Sequence, residues 1–289
     1  MKPTAVNLII SLITFTCGVA ATSFLKRFTV HPEPQNVRVE QSSTGKEDSS
    51  APPVLCISSA TPAGEVVFGG GLRIVSDEVQ MKSERLRYKV HVTYPQIVGS
   101  EDLHIWKLNQ RFKELATDQY QWPLSPSRAD LRYYREKWPE VFNSVDLNYE
   151  IRSASESFLS IYFVGFSYGI GAAHSVQYSF VVNYDLTLRK ELKLSDIFNR
   201  RSKYLQFISN YCVNELSTQS EFIFEEALTP KVENFESWNI TREGVRFNFD
   251  ECRVFGCAVG EKAVEIPFTA LKPFLDRDSS VRVLTDSRS

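Results

Sequence analysis

The sequence predicts an α+β protein, with antiparallel sheets each packed against helices, in two subdomains, preceded by one N-terminal transmembrane helix. Three observations carry this expectation. Alternating, aromatic-rich runs of strand length recur along the chain. Amphipathic helical patterns lie between them. The chain also opens on a long uncharged apolar run. With 289 residues it is long enough for one large or two small domains with a real core. Its 20 Phe and 12 Tyr favour sheet packing.

Residues 4–25 contain no charge and are mostly apolar, long enough to cross ~30 Å of hydrocarbon as a helix. Lys2 precedes this run and Lys26 and Arg27 follow it, so its orientation is only weakly set. Residues 1–27 read as a transmembrane anchor or uncleaved signal. A cleaved signal peptide with Val19 and Ala21 at the cleavage site is the alternative. Residues 28–53 are rich in Pro, Ser and charge and read as a disordered linker. An N-terminal α+β subdomain is expected over 54–157, a C-terminal one over 158–276, and a tail over 277–289.

Strand patterns follow the linker, broken by Gly69, Gly70 and Gly71. That glycine run is no phosphate loop, because no Lys-Ser/Thr follows it and no helix begins there. A helix is expected over 99–120, capped by Ser100, with Ile105, Leu108, Phe112 and Leu115 on one face. A weaker helical pattern covers 129–138, with Leu131, Tyr134 and Trp138 in register. Strands are expected over 145–151, 158–166 and 175–184. Ser195 is a good N-cap before a helix over about 203–217. Strands over 238–241, 245–249 and 263–266 precede a short helix from Pro267.

Charge and cysteines narrow the setting. Without residues 1–27 the chain keeps 30 basic and 35 acidic residues, a net −5, which argues against a nucleic-acid partner. Cys56, Cys212, Cys252 and Cys257 lie beyond the apolar run. An even number there suggests two disulfides in an oxidising compartment. Cys252 and Cys257 are placed to staple a tight hairpin, leaving Cys56 with Cys212; buried free thiols are the alternative. Zinc is disfavoured, since the Cys-x4-Cys spacing has no second pair and no nearby His. No cofactor or metal is expected.

Residues 165–198 hold the most distinctive pattern. Tyr168 leads into Gly171-Ala172-Ala173-His174, then a strand with Tyr178 and Phe180, then Asn183 and Asp185, which read as turn formers. Leu192, Leu194, Asp196, Ile197 and Phe198 close it. Downstream come Trp238, Gly244, Phe247 and Phe249, then Gly260, Val264, Ile266, Pro267, Phe268 and Leu271. Upstream, Tyr94-Pro95 and Asn109 fit as well. Together these features resemble the RsiV/PdaC-type extracytoplasmic domain of unknown function, over about residues 86–275. Ala172 departs from the family's Gly-Gly-Ala-His, and the 252–257 segment replaces a stretch that often carries Tyr.

The resemblance implies a membrane-anchored extracytoplasmic binding or sensing module for a lysozyme-like protein or a cell-wall component such as peptidoglycan. An envelope glycan or peptide hydrolase and a structural envelope protein are the alternatives. Tyr168, Gly171 and His174 are the ligand-binding candidates. The plainer reading of His174 is structural, with its ring satisfying nearby backbone. Catalysis there would need Asp185 or Asp196 as partner and a nucleophile. Tyr133, Tyr134 and Trp138 offer aromatic faces for sugar rings, although a buried helical seam explains them more simply.

Overall fold

Alternation decides which side of each strand enters a core. In the computed structural model, which describes residues 66–124, 127–219 and 222–282, the chain from 66 to 191 builds one seven-stranded sheet. Its strands are β1 (Val66–Phe68), β2 (Leu72–Ser83), β3 (Tyr88–Val98), β4 (Asn143–Ala154), β5 (Phe158–Tyr168), β6 (Val176–Asp185) and β7 (Lys190–Glu191). They lie side by side in chain order. Every pair is antiparallel except β3 with β4. That parallel pair departs from the expected all-antiparallel sheet. Two parallel neighbours need a crossover, and helices α1 (Leu103–Gln119) and α2 (Arg128–Lys137) lie in the connection.

Helix α1 covers one face of the sheet. Ile105, Leu108, Phe112 and Ala116 are buried on it, and they share a core with Val92, Leu147, Tyr149, Ile161 and Phe163. Asn109 ties the helix down, its Oδ1 accepting from Ile97 N at 2.8 Å and its Nδ2 donating to Ile97 O at 2.8 Å. The N-cap is Asp102, not the expected Ser100; its carboxylate accepts from His104 N at 2.8 Å. Ser100 sits two residues before the cap and accepts from Asp102 N instead.

The second half folds around its own sheet of β8 (Trp238–Ile240), β9 (Gly244–Phe249) and β10 (Lys262–Pro267), in order β10-β9-β8. The short helix α3 (Leu194–Ile197), α4 (Tyr204–Ser217) and α5 (Phe268–Leu271) complete it. Ser195 lies inside α3; Asp196 organises that turn, accepting from Lys193 N at 2.8 Å. Ile208, Cys212 and Leu216 of α4 pack with Phe235, Phe247, Ile266 and Leu271 in a second core.

Two cores therefore exist, but the expected boundary at 157 falls inside the β4–β5 hairpin. Strands β5 and β6 continue the large sheet, so the change of core comes after β6, with Leu192 the first residue of the second core beyond it. Residues 158–163 explain why periodicity misplaced the division. All six are buried, because Leu159, Ile161 and Phe163 face α1 while Phe158 and Ser160 face the second half. A strand covered on both faces gives a continuous apolar run, not an alternation.

A buried polar seam joins the two halves. Ser160 Oγ donates to Asn183 Oδ1 at 2.6 Å and accepts from Asn239 Nδ2 and Ile240 N, both at 3.0 Å. Asn183 Nδ2 donates to Trp238 O at 2.7 Å, and Ser153 Oγ to Ile240 O at 2.7 Å. Asn183, expected as a turn former, is thus a joint between sheets. Asp185 does form its turn, accepting from Leu188 N at 2.7 Å.

Cys252 and Cys257 form the expected disulfide. Cys212 instead carries a free thiol at 0% exposure, and burial pushes it up to about 12. The second expected bridge is corrected accordingly: helical register places Cys212 among apolar core residues. Cys56 lies outside the described residues, as do the expected membrane span over 1–27 and the linker over 28–53. Among the described residues, no helix is long and apolar enough to cross a membrane.

Candidate functional site

The end of β5 and the turn that follows it hold all three candidate residues. Tyr168 is the last residue of β5, paired with Ser144 and half-buried. Ile170 is buried, and its N–H donates to Asn143 Oδ1 at 2.8 Å. From Gly171 to Val176 every residue is exposed. Gly171 has φ +92, a left-handed conformation that a side chain strains. It also lies against an aromatic ring: a Cβ added there would sit 3.1 Å from Trp138. Ala172, where the family pattern has glycine, is not among the positive-φ residues, so no glycine is needed there.

His174 is exposed, and its Nδ1 meets Ser175 O at 2.8 Å. The carboxylates a catalytic role would recruit are engaged elsewhere. Asp185 is fully buried at its own turn. Asp196 holds the start of α3 and an ion pair with Lys190 at 3.0 Å. Gly171 lies beside a further group of chemical interest.

That group is the aromatic cluster at the end of α2, and here the expected buried seam is only half-buried, with Leu131, Tyr134 and Trp138 less exposed than the residues between them. Helix α2 buries none of its residues. Its capping explains how it persists without a core: Ser127 Oγ accepts from Asp130 N at 3.1 Å, Asp130 sits in the first turn, and Arg135 and Lys137 sit in the last. Tyr133 is 50% exposed and meets Trp138 edge-on, with centroids 5.5 Å apart. Lys137 Nζ lies 4.6 Å from the Trp138 centroid and donates to the Tyr133 hydroxyl at 2.9 Å. The segment is pinned from below by Arg87, which donates to Trp138 O at 2.8 Å and Val141 O at 2.7 Å.

Positive charge gathers around these rings. Arg128, Arg132 and Arg135 line a cavity of about 300 Å³ on α2, with Leu131 and Glu136. Lys82, Arg87 and Lys89 all lie over the Phe142 ring, at 5.4, 4.5 and 4.6 Å. In a chain of net charge −2, this is a local basic surface with aromatic groups set into it. Sequence reading caught the rings but not the company they keep. The β2–β3 turn and α2 are some 50 residues apart, yet Arg135 Nη2 donates to Arg85 O.

A second polar group lies on the same large sheet. His91 on β3 sits between Glu78 and Asp146, with Nε2 2.7 Å from Glu78 and Nδ1 3.0 Å from Asp146. Burial alone would lower its pKa, but the two carboxylates outweigh that and raise it above the ordinary 6.5. A raised value means a contribution to stability that is complete below the ordinary pKa and lost as pH rises through the folded value. An NMR titration of the His91 ring is expected to show a midpoint above 6.5, moving down in Asp146→Asn. A midpoint unmoved by that change would show that Asp146 does not hold the proton. Among the described residues, no group of three or more His, Cys, Asp or Glu could hold a metal ion.

Residues 195–269 match the family described as "Protein of unknown function (DUF3298)". Over 138 residues the chain is 28% identical to peptidoglycan-N-acetylmuramic acid deacetylase PdaC of Bacillus subtilis strain 168. The match takes in 46% of this chain and only 29% of that protein. A crystal structure of a DUF3298 member from Bacteroides fragilis superposes with TM-score 0.54 and 16% identity, over 76% of this chain and 99% of that one. Another, from Pseudomonas aeruginosa PAO1, gives TM-score 0.47 at 15% identity, over 71% and 94%.

Proposed function

Because this chain carries a PdaC-type domain of unknown function, we propose that its folded part is a binding module of the cell envelope, taking cell-wall glycan on the α2 surface. The observation that carries this reading is the exposed Tyr133 ring set edge-on against the half-buried Trp138, with Lys137 beside them and three arginines on the same helix. Sugar rings present apolar C–H faces that lie flat on aromatic rings, while cell-wall glycan also carries carboxylates that guanidinium groups recognise in bidentate fashion. Gly171 keeps the neighbouring turn close to Trp138 without a side chain in the way. Residues 1–27 would hold the module at the membrane, with the Cys252–Cys257 disulfide suited to an extracytoplasmic setting. The PdaC name supports the choice of envelope glycan; it describes that protein, and the reading here involves binding without deacetylation.

Sedimentation with insoluble peptidoglycan tests this. The purified protein is expected in the pellet, and Trp138→Ala is expected to cut retention about fivefold, the worth of ~1 kcal/mol of ring contact. Retention of Trp138→Ala at the level of the unaltered protein would sink the assignment of this surface. A lysozyme-like protein captured in place of glycan would replace the ligand with a protein one.

A further inference from the structure

Strand β6 leaves part of the large sheet unpaired. Its inner neighbour β5 runs its full length, but on the outer side β7 pairs only with Tyr184 and Asp185. The direction of the backbone groups follows from two bonds. Asn183 O accepts from Leu192 N at 2.7 Å, and Gln177 N donates to Glu251 at 3.2 Å. Residues two apart in a strand turn their backbone groups the same way. Ser179 and Val181, between them, therefore point N–H and C=O outward. Among the described residues, neither has a backbone partner on that side. Unpaired edges of this kind are templates for another strand unless a protein blocks them. Here only the Gln177 end is blocked, by the Glu251 carboxylate.

Beside this edge runs a groove of about 410 Å³, lined by Val181, Leu194 and Val232 and by the charged Glu191, Lys193 and Glu236. At the other end of the strand Asp250 bonds Ser179 Oγ, and Glu251 stands at Gln177. Four acids, Glu191, Glu236, Asp250 and Glu251, thus stand along the edge against Lys190 and Lys193, with Arg111 3.8 Å from Glu191. This is opposite in sign to the arginine-rich surface of α2.

We propose that the outer edge of β6, from Ser179 to Asn183, is a docking site for an extended basic peptide that adds a strand to the sheet. Its backbone pairs with Ser179 and Val181. One apolar side chain enters the groove against Val181, Leu194 and Val232. Its basic side chains meet Glu191 and Glu236 at one end and Asp250 and Glu251 at the other. This site rests on elements other than the glycan surface and stands or falls independently of it.

The test is amide hydrogen exchange on the full chain with two synthetic seven-residue peptides, one alternating Lys and Val, the other Glu and Val. The Lys/Val peptide is expected to slow exchange at Ser179 and Val181 at least about tenfold, the Glu/Val peptide not at all. Val181→Pro removes the donor at an edge position where proline is tolerated and is expected to abolish the effect. A thermal melt within a few degrees of the unaltered protein shows that it folds. Should that variant fail to fold, alternate N-methylation of the Lys/Val peptide serves the same purpose. No slowing with either peptide overturns the proposal. Equal slowing with both overturns the basic character of the ligand. Slowing that follows protein concentration without peptide assigns the edge to a second copy of the chain and overturns the peptide site.

Discussion

Ser160→Ala is expected to lower the unfolding free energy by about 3 kcal/mol, out of proportion to one missing oxygen. The hydroxyl is fully buried and makes three hydrogen bonds at once, to Asn183, Asn239 and Ile240. Asn183 Nδ2 keeps Trp238 O, and Asn239 Nδ2 keeps Ile161 O at 3.1 Å. Asn183 Oδ1 and Ile240 N–H lose the partner Ser160 supplied. A buried group left unsatisfied costs about 1–3 kcal/mol, and two such groups set the estimate. Ser157→Ala, in the exposed-side turn of the same hairpin, is expected to cost under about 0.5 kcal/mol. Chemical denaturation of the two variants decides the matter. A loss below about 1 kcal/mol for Ser160→Ala would mean that water or relaxation replaces the seam. Asn239→Ala is expected to be less than additive with Ser160→Ala, because the two share a bond.

The seam also shows why some of the fold was legible in the sequence and some was not. Period and composition located strands β4, β5, β6 and β9 and helices α1 and α4, because each buries at least one continuous face. The choice between Ser100 and Asp102 as cap could not be read, since both residue types cap well and only the path of the chain separates them. The same holds for Cys212, whose helical register among Leu205, Ile208 and Leu216 marks it as a core thiol as readily as a disulfide partner. The division between cores was misplaced because β5 is covered on both faces, and apolar runs do not say which core they serve. Asn183 looked like a turn residue; its pairing with Ser160 and Trp238 depends on residues 23 and 55 positions away.

The candidate surface was legible only in part, for a related reason. Tyr168, Gly171 and His174 stand out in sequence because glycine and histidine are rare and chemically distinctive. Gly171 earned its place through a contact with Trp138, which local pattern cannot reveal. The rings of α2 were seen but read as a seam, since Leu131, Tyr134 and Trp138 repeat as a buried face would. The helix instead lies in the β3–β4 crossover with none of its residues fully buried. Exposed aromatics and buried ones share a periodicity, and only burial tells them apart.

Gly244→Ala is expected to cost about 3 kcal/mol, near the upper end for a small residue enlarged in a packed place. Its φ is not left-handed, so backbone strain is not the cause. The cause is close approach: an added Cβ would lie 2.1 Å from Ile266 O, 2.8 Å from Ile266 C and 2.9 Å from Pro267 Cα. All three are backbone atoms of the neighbouring strand, which no rotamer change can move. Relief requires β10 to shift from β9. That shift would disturb Val245, Phe247 and Ile266, each at 0% exposure, and the start of α5, where Phe268 N donates to Glu243 O at 2.9 Å. Gly169→Ala is the contrast, since a Cβ there meets nothing within 4 Å and the residue has no positive φ; it is expected to be nearly neutral. Denaturation midpoints of the two variants, measured together, check the assignment, and equal losses would refute close approach as the reason for glycine at 244. Because the Ser160–Asn239 seam couples the second core to the large sheet, Gly244→Ala is also expected to speed amide exchange at Phe163 as well as at Phe247. Exchange confined to Phe247 would show that the two cores open separately, and that the seam aligns them without making them cooperative.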